Sequence, residues 1–353
     1  MSTNRQSFDH SPMPRRHLGR PSSQAPSSHQ AQALNVSAIG LGCMGMSEFY
    51  GAQTPEADAL KLMSRAYALG ITLFDTADCY GPHHNEQLLG KWIAQQRPTQ
   101  LQIASKFGIV REPGQYERTL DNRPAYIKSA CEASLQRLGV EHIDLYYVHR
   151  VNPEHPIEET MDTLAGLVRE GKIGHIGLCE VNAETLRRAH AVHPVTALQT
   201  EYSLWTRDVE DEILPTCREL GIGFVPYSPL GRGFLAGRIQ KREDFEPGDF
   251  RAMLPRFSEA NFNANQALAD YLAQFAAHKQ CSPAQLSLAW LLAQGDDIVP
   301  IPGTKHLHYL EDNAGAPQVK LTAEDLKTIN EATQTFIIAG ERYTEEGMKG
   351  VNV

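Results

Sequence analysis

The chain has 353 residues, 41% of them hydrophobic, and a formal net charge of −9. That is ample material for a sizeable core, while no apolar run approaches the ~18 residues that mark a membrane-spanning helix, so no membrane contact is expected. The acidic balance argues against nucleic acid as the main partner.

The charge is uneven. Residues 1–32 hold four Arg and one Asp, a local +3 that leaves −12 for the remainder. This stretch is rich in Ser, Pro and Gln and has almost no apolar periodicity, which predicts a disordered tail ahead of one domain over 33–353. The opening residues do not follow the charged-then-apolar pattern of a secretory signal. The six cysteines are scattered, with no CxxC. Reduced thiols in a cytoplasmic protein are expected, not a disulfide scaffold or zinc ribbon.

From residue 33 short apolar runs alternate with longer amphipathic segments. Strands are predicted at 36–40 (VSAIG), 71–75 (ITLFD), 101–105 (LQIAS), 143–148 (IDLYYV), 173–178 (IGHIGL), 197–199 (ALQ), 223–227 (GFVPY) and 298–302 (IVPIP). Between the first two, Thr54 and Pro55 announce a helix that Gly70 stops, and Ser282-Pro283 opens another in the same way. Eight strands separated by helices without a composition break predict an α/β fold, a closed (β/α)8 TIM barrel. GLGCMG at 40–45 is a literal G-x-G-x-x-G. The Rossmann fingerprint needs its last glycine to open a helix, whereas here the first helix begins near Pro55, so the motif is read as a βα loop that a ligand approaches closely. Residues 230–262 show no clear periodicity, and loops this long are usually functional or disordered.

In a parallel barrel the strand C-termini carry the chemistry. The second strand ends at Asp75 with Tyr80 just beyond; the third delivers Lys106 and the fourth His149. Alone, each reads as a turn residue, a solvated charge or a core histidine; convergence at one barrel mouth makes them a catalytic set. A tyrosine, with an ordinary pKa near 10, serves as a general acid if a cation lowers that value, and Lys106 is the candidate cation, held by Asp75. His149 would orient a substrate oxygen. His83-His84 and His306-x-His308 lack further ligands at sensible positions, so no metal is expected. There is no G-x-S-x-G elbow.

FDTADCYG, ASKFG, SLQRLGVEHIDLYYVHR and IPGTK, in this order, resemble the aldo-keto reductase superfamily from about residue 35 onward. NEQLLG, YSPLGRGFL and GERY place the resemblance nearest its pyridoxal-reductase-like and general aldehyde reductase branch. The resemblance implies a barrel that binds NADPH/NADP+ and reduces a small-molecule carbonyl substrate, with Asp75, Tyr80, Lys106 and His149 as catalytic tetrad. It also implies cofactor contacts from the loop residues Gly42, Met44 and Gly45 and from Asp75. Gln199 would hold the nicotinamide amide, alongside Cys179 and Glu180 where the family has Ser and Asn. Tyr227 would stack on the ring. Ser228, Pro229, Leu230, Gly231 and Gly233 would cover the pyrophosphate. Gly303, Thr304, Lys305, Asp312 and Asn313 would hold the adenosine phosphate, with Tyr309 where many members have Arg or Gln. Phe49, Tyr50, Tyr80, His149 and Trp205, with Cys79, Tyr202 and Arg342 or Tyr343 near them, would face the substrate. The same resemblance covers alcohol or sugar dehydrogenases and redox-sensing channel β-subunits.

Overall fold

Residues two apart on a strand share a face. That period places Leu73 with Asp75, Ala104 with Lys106, Leu145 with Tyr147, and Ala197 with Gln199. The computed structural model, which describes residues 12–19 and 33–353, turns all four pairs inward around one axis. The parallel strands are β3 (Leu41–Gly42), β4 (Leu73–Asp75), β5 (Gln102–Phe107), β8 (Ile143–Val148), β9 (Ile173–Cys179), β10 (Ala197–Glu201) and β11 (Gly223–Tyr227), hydrogen-bonded in that order. The pairs β6 (Ile109–Val110) and β7 (Thr119–Leu120) form a small antiparallel hairpin outside the barrel.

The eighth stave is IVPIP. It bridges β11 at Phe224↔Ile298 and β3 at Gly42↔Gly303. Val299 and Ile301 donate to the Phe224 and Pro226 carbonyls at 2.9 and 3.1 Å. On the other edge Pro300 and Pro302 have no N–H to give, so they only accept, from Gly40 at 2.9 Å and Gly42 at 3.3 Å. Half the ladder on that edge is missing, which is why the stave closes the barrel without forming a regular strand. The predicted first strand is displaced: Leu34–Ser37 pairs antiparallel with Arg15–Leu18, and the barrel strand begins only at Leu41.

Helices pack around the outside, among them α1 (Glu56–Ala68), α2 (His84–Gln96), α3 (Pro124–Leu138), α4 (Ile157–Arg169), α5 (Ala183–Val192) and α6 (Ile213–Leu220). The main core lies between helices and strands, with Phe74 stacked on Trp92 at 5.0 Å and Phe107 on Tyr146 at 5.1 Å. The predicted late helix is α8 (Pro283–Ala293), opened by a capping box in which Ser282 and Gln285 serve each other's backbone N–H groups. The long segment after β11 settles into short 3-10 turns and then α7 (Glu259–His278). Among the described residues, no helix is long and apolar enough to cross a membrane.

The tail expectation fails for residues 12–19. Arg15–Leu18 (β1) pairs antiparallel with Leu34–Ser37 (β2) under the barrel. Leu18 is fully buried in the inner cluster with Leu34, Val36 and Leu145. The Arg16 guanidinium donates to the carbonyls of Leu292, Gly295 and Ile298 at 2.6–2.7 Å, tying β1 to the last turn of α8 and the segment after it. A lone leucine in RRHL has no periodicity to read; its partners lie elsewhere in the chain. Residues 1–11 and 20–32 lie outside the described residues. Replacing a plugged core leucine leaves a cavity, so Leu18→Ala should cost about 2–5 kcal/mol, read as a lower urea midpoint. An unchanged midpoint would show that the hairpin does not seal the floor.

Candidate active site

The inward positions one step further along the strands are polar. Lys106 on β5 is fully buried, with Asp75 at the end of β4 beside it. Its Nζ donates to Asp75 Oδ1, to the Thr76 carbonyl at 2.9 Å and to Tyr80 Oη at 3.2 Å. Those three bonds use all three ammonium protons. The second Asp75 oxygen accepts from Gln199 Nε2 at 2.8 Å. Tyr80 reaches the site because the chain after β4 turns at once, with Tyr80 N on the Ala77 carbonyl and Asn85 N on that of Tyr80. Asn85 itself is buried and bonds Cys43 O, Ser47 Oγ and Thr76 Oγ1, tying the first two βα loops together.

His149 directly follows β8, and its ring meets the Tyr80 ring edge-on at 5.7 Å. Cys79 Sγ lies 3.5 Å from His149 Nδ1. Burial first, then the charges of Lys106, Arg150, Arg118 and Arg111, hold the imidazole well below its ordinary value. The ring is therefore neutral at pH 7.

The phenol behaves differently from expectation. Burial, with Asp75, Cys79 and Cys179 adding to it, pushes the Tyr80 hydroxyl well above 10. Lys106 donates to the phenol oxygen at 3.2 Å, but burial outweighs that contact. Burial also lifts the Asp75 carboxyl, against the opposing pull of Lys106 and Gln199. Tyr80 accordingly keeps its proton across the whole neutral range.

Tyr80, Asp75 and His149 line a cavity of about 420 Å³, within the size range of small-molecule and cofactor sites. Gly42, Met44, Gly45, Cys179, Gln199, Tyr227, Ser228, Pro229, Leu230, Gly233, Gly303, Thr304, Lys305, Asp312 and Asn313 line it too. Phe49 and Tyr50 form part of its roof. Burial pushes the Cys179 thiol up to about 12, so it is an uncharged lining group. Lys305 Nζ donates to the Tyr50 carbonyl and, at 2.7 Å, to that of Ala52. It thus pins a strap that Phe250 N also holds, on the Phe49 carbonyl at 2.9 Å.

Four expected lining residues stand elsewhere. Trp205 is buried, stacked on Phe234 at 4.9 Å with Phe257 at its edge, because Gly231 lies flat on the indole; a Cβ at Gly231 would sit 2.7 Å from that ring. That contact accounts for Gly231 as well, which supports the loop from beneath instead of facing the cavity. Glu180 points away too. It accepts from Tyr227 Oη at 2.6 Å and from Arg342 at 3.0 and 3.2 Å, and its backbone binds Asn352 N. It anchors the C-terminal segment, where Tyr343 Oη meets Tyr227 Oη at 2.9 Å. Tyr202 is likewise buried, its hydroxyl on Glu210.

Sequence reading missed the cationic rim of the cavity: Arg111, Arg118, Arg150, Arg232, Arg238 and Arg251. Only Arg150, next to a strand-end histidine, had a positional signal; the others come from loops with no period.

An inward Asp–Lys pair at two neighbouring strand ends, a tyrosine on the ammonium and a histidine at its edge define a class of barrel oxidoreductase. Residues 38–334 match the aldo/keto reductase family. The chain is 48% identical over 312 residues to "Probable aldo-keto reductase 1" of Glycine max, covering 88% of this chain and 90% of that one. Among solved structures, the glycerol dehydrogenase AKR11B4 from Gluconobacter oxydans superposes with a TM-score of 0.79 at 27% identity, over 87% of this chain and 94% of that one. The holo form of the aldo-keto reductase AKR11C1 from Bacillus halodurans gives 0.72 at 25%, over 94% and 98%. The chain belongs to the aldo-keto reductase family.

The histidine has a measurable consequence. An unfolded histidine takes up a proton below about pH 6.5, whereas His149 stays neutral well below that. The unfolded state then binds the more protons, and stability falls as pH falls. His149→Gln should flatten the loss of stability between roughly pH 7 and pH 5, measured as urea midpoints. An unaltered slope would mean that the native imidazole titrates normally.

Proposed function

We propose that the protein reduces aldehydes or ketones to alcohols with NADPH as cofactor. The observation that carries this is one cavity that holds the buried Lys106–Asp75–Tyr80 chain and His149 together with many polar and cationic lining groups. The donor set fits a dinucleotide. Gln199 and Cys179 suit an amide, Tyr227 a flat ring, and Thr304, Arg238 and Asn313 phosphate and ribose oxygens. When bound, the cofactor supplies a hydride to the carbonyl carbon.

The chain's own groups manage the oxygen. Tyr80 holds the proton that the carbonyl oxygen receives; its high pKa keeps it loaded at every working pH. The Lys106 ammonium, 3.2 Å away, stabilises the negative charge left on Tyr80, in a site too buried for water to screen it. Asp75 keeps that ammonium aimed. Neutral His149 fixes the substrate oxygen without competing as an acid.

Tyr80→Phe should keep NADPH binding and lower kcat by about 10²-fold or more, the usual share of general acid catalysis, assayed by NADPH oxidation with a carbonyl panel. Near wild-type turnover would end this assignment. Running the same panel's alcohols with NADP+ tests whether oxidation is instead the favoured direction.

The choice between NADPH and NADH rests on Arg238. Its guanidinium covers the Tyr309 ring at 4.1 Å, lies 3.9 Å from Asp312 and lines the cavity as Thr304 does, so it would be a group to hold a 2′-phosphate. A hydrogen bond to a charged group contributes about 1.5–3 kcal/mol. Arg238→Gln should therefore raise KM for NADPH about tenfold or more and leave KM for NADH nearly alone. Equal effects on both cofactors would remove Arg238 from the phosphate site.

A further inference from the structure

We propose that the substrate is a carbonyl compound bearing a carboxylate, which Arg150 and Arg118 hold while its carbonyl faces Tyr80 and His149. This deepens the reductase reading and rests on it.

Arg150 follows His149 in the chain, is only 4% exposed and lines the cavity. Its Nη1 donates to the adjacent His149 carbonyl at 2.7 Å, and its Nε is buried without a partner. Arg118, at the foot of the β6–β7 hairpin, also lines the cavity. Its Nη2 donates to the carbonyls of Gly347 at 2.9 Å and Lys349 at 3.4 Å, and its Nε too is buried and unpartnered. Among the described residues, neither has a carboxylate at ion-pair distance. The other rim arginines do: Arg111 pairs with Glu48, Arg251 with Asp249, and Arg232 approaches Glu201 at 3.8 Å. Glu180 feels the Arg150 charge, but Arg342 and Tyr227 already occupy its carboxylate.

The two guanidiniums also act on each other. Burial and then the Arg150 charge draw Arg118 below its ordinary value, and both charges reach His149; burial acts on Arg150 too, but Tyr227, Tyr343 and Glu180 outweigh it and hold that guanidinium above its ordinary value, so the uncompensated cost falls on Arg118. Backbone carbonyls satisfy N–H groups but cancel no net charge. Two cations facing one largely buried space are costly until an anion joins them. A guanidinium fork matches a carboxylate in two parallel bonds. Tyr116, Tyr343 and Ile109 line the same region and offer flat apolar surface for the carbon skeleton between carboxylate and carbonyl. Because Arg150 adjoins His149 in the chain, that skeleton is short or compact.

The test compares 4-formylbenzoate with its methyl ester, which differ in charge at nearly constant shape. The full chain with NADPH should favour the acid by about tenfold or more in kcat/KM, the factor expected of one charge-assisted hydrogen bond, and the preference should sit in KM. Arg118→Gln and Arg150→Gln should each pull the acid-to-ester ratio towards one, and Arg118→Lys should restore part of it. If Arg150→Gln does not fold, the Arg118 pair carries the comparison. Arginines that merely staple the C-terminal segment would lower the melting temperature and leave the ratio unmoved, and that result overturns the proposal. So does a wild type that reduces both substrates equally. Calorimetric binding of 4-(hydroxymethyl)benzoate against its methyl ester gives an answer without turnover. Preference for the acid there supports the anion site even if no carbonyl is reduced, a result that would sink the reductase reading alone. Equal affinities sink the anion site.

Discussion

The ion pair between Lys106 and Asp75 sits on the barrel axis, with Lys106 fully buried and Asp75 almost so. Two charges withdrawn from water in this way survive only if their remaining hydrogen-bonding capacity is met. Thr76 O and Tyr80 Oη complete the ammonium, and Gln199 completes the carboxylate. That requirement ties four elements to one point: β4, the loop after it, β5 and β10. Tyr80 is placed by the same bonds that pay for burying the lysine. The geometry of the reacting end is therefore a by-product of satisfying a buried charge.

The surroundings respect this centre. Below it the barrel is filled by Leu73, Ala104, Leu145, Tyr147 and Val225, sealed at the floor by Leu18. Tyr147 can lie across the interior because Gly177 opposite has no Cβ to meet its ring. Above it, the strap pinned by Lys305 and the C-terminal segment anchored on Glu180 close the cavity from two sides. Water is kept from the ion pair by packing from beneath and by loops from above, which leaves Coulomb interactions strong where the carbonyl would sit.

Charge around the cavity divides into two kinds. Three of the six rim arginines lie against Glu48, Glu201 and Asp249 and read as structural ties between loops. Arg118 and Arg150 are held by backbone carbonyls alone. The same residue type thus fills two physical roles, and only the partner set separates them.

Much of this was legible in the sequence. Period-two apolar runs marked the barrel strands, and the polar residue ending each run marked the site, because a strand that buries one face cannot carry Asp75, Lys106 or Gln199 inward without a reason. Helix signals at Pro55 and Ser282 were equally local. What lay beyond reach depended on partners distant in the chain. Leu18 in an otherwise polar segment becomes core only through a floor built by β2 and the barrel interior. Trp205 and Glu180 turn away from the cavity because Gly231, Phe234 and Arg342 offer better burial and pairing. The phenol of Tyr80 is held high by burial first, and by Asp75, Cys79 and Cys179 after it. Periodicity and motif spacing are set by neighbours in the chain; burial, pairing and pKa are set by neighbours in space, and only folding brings those together.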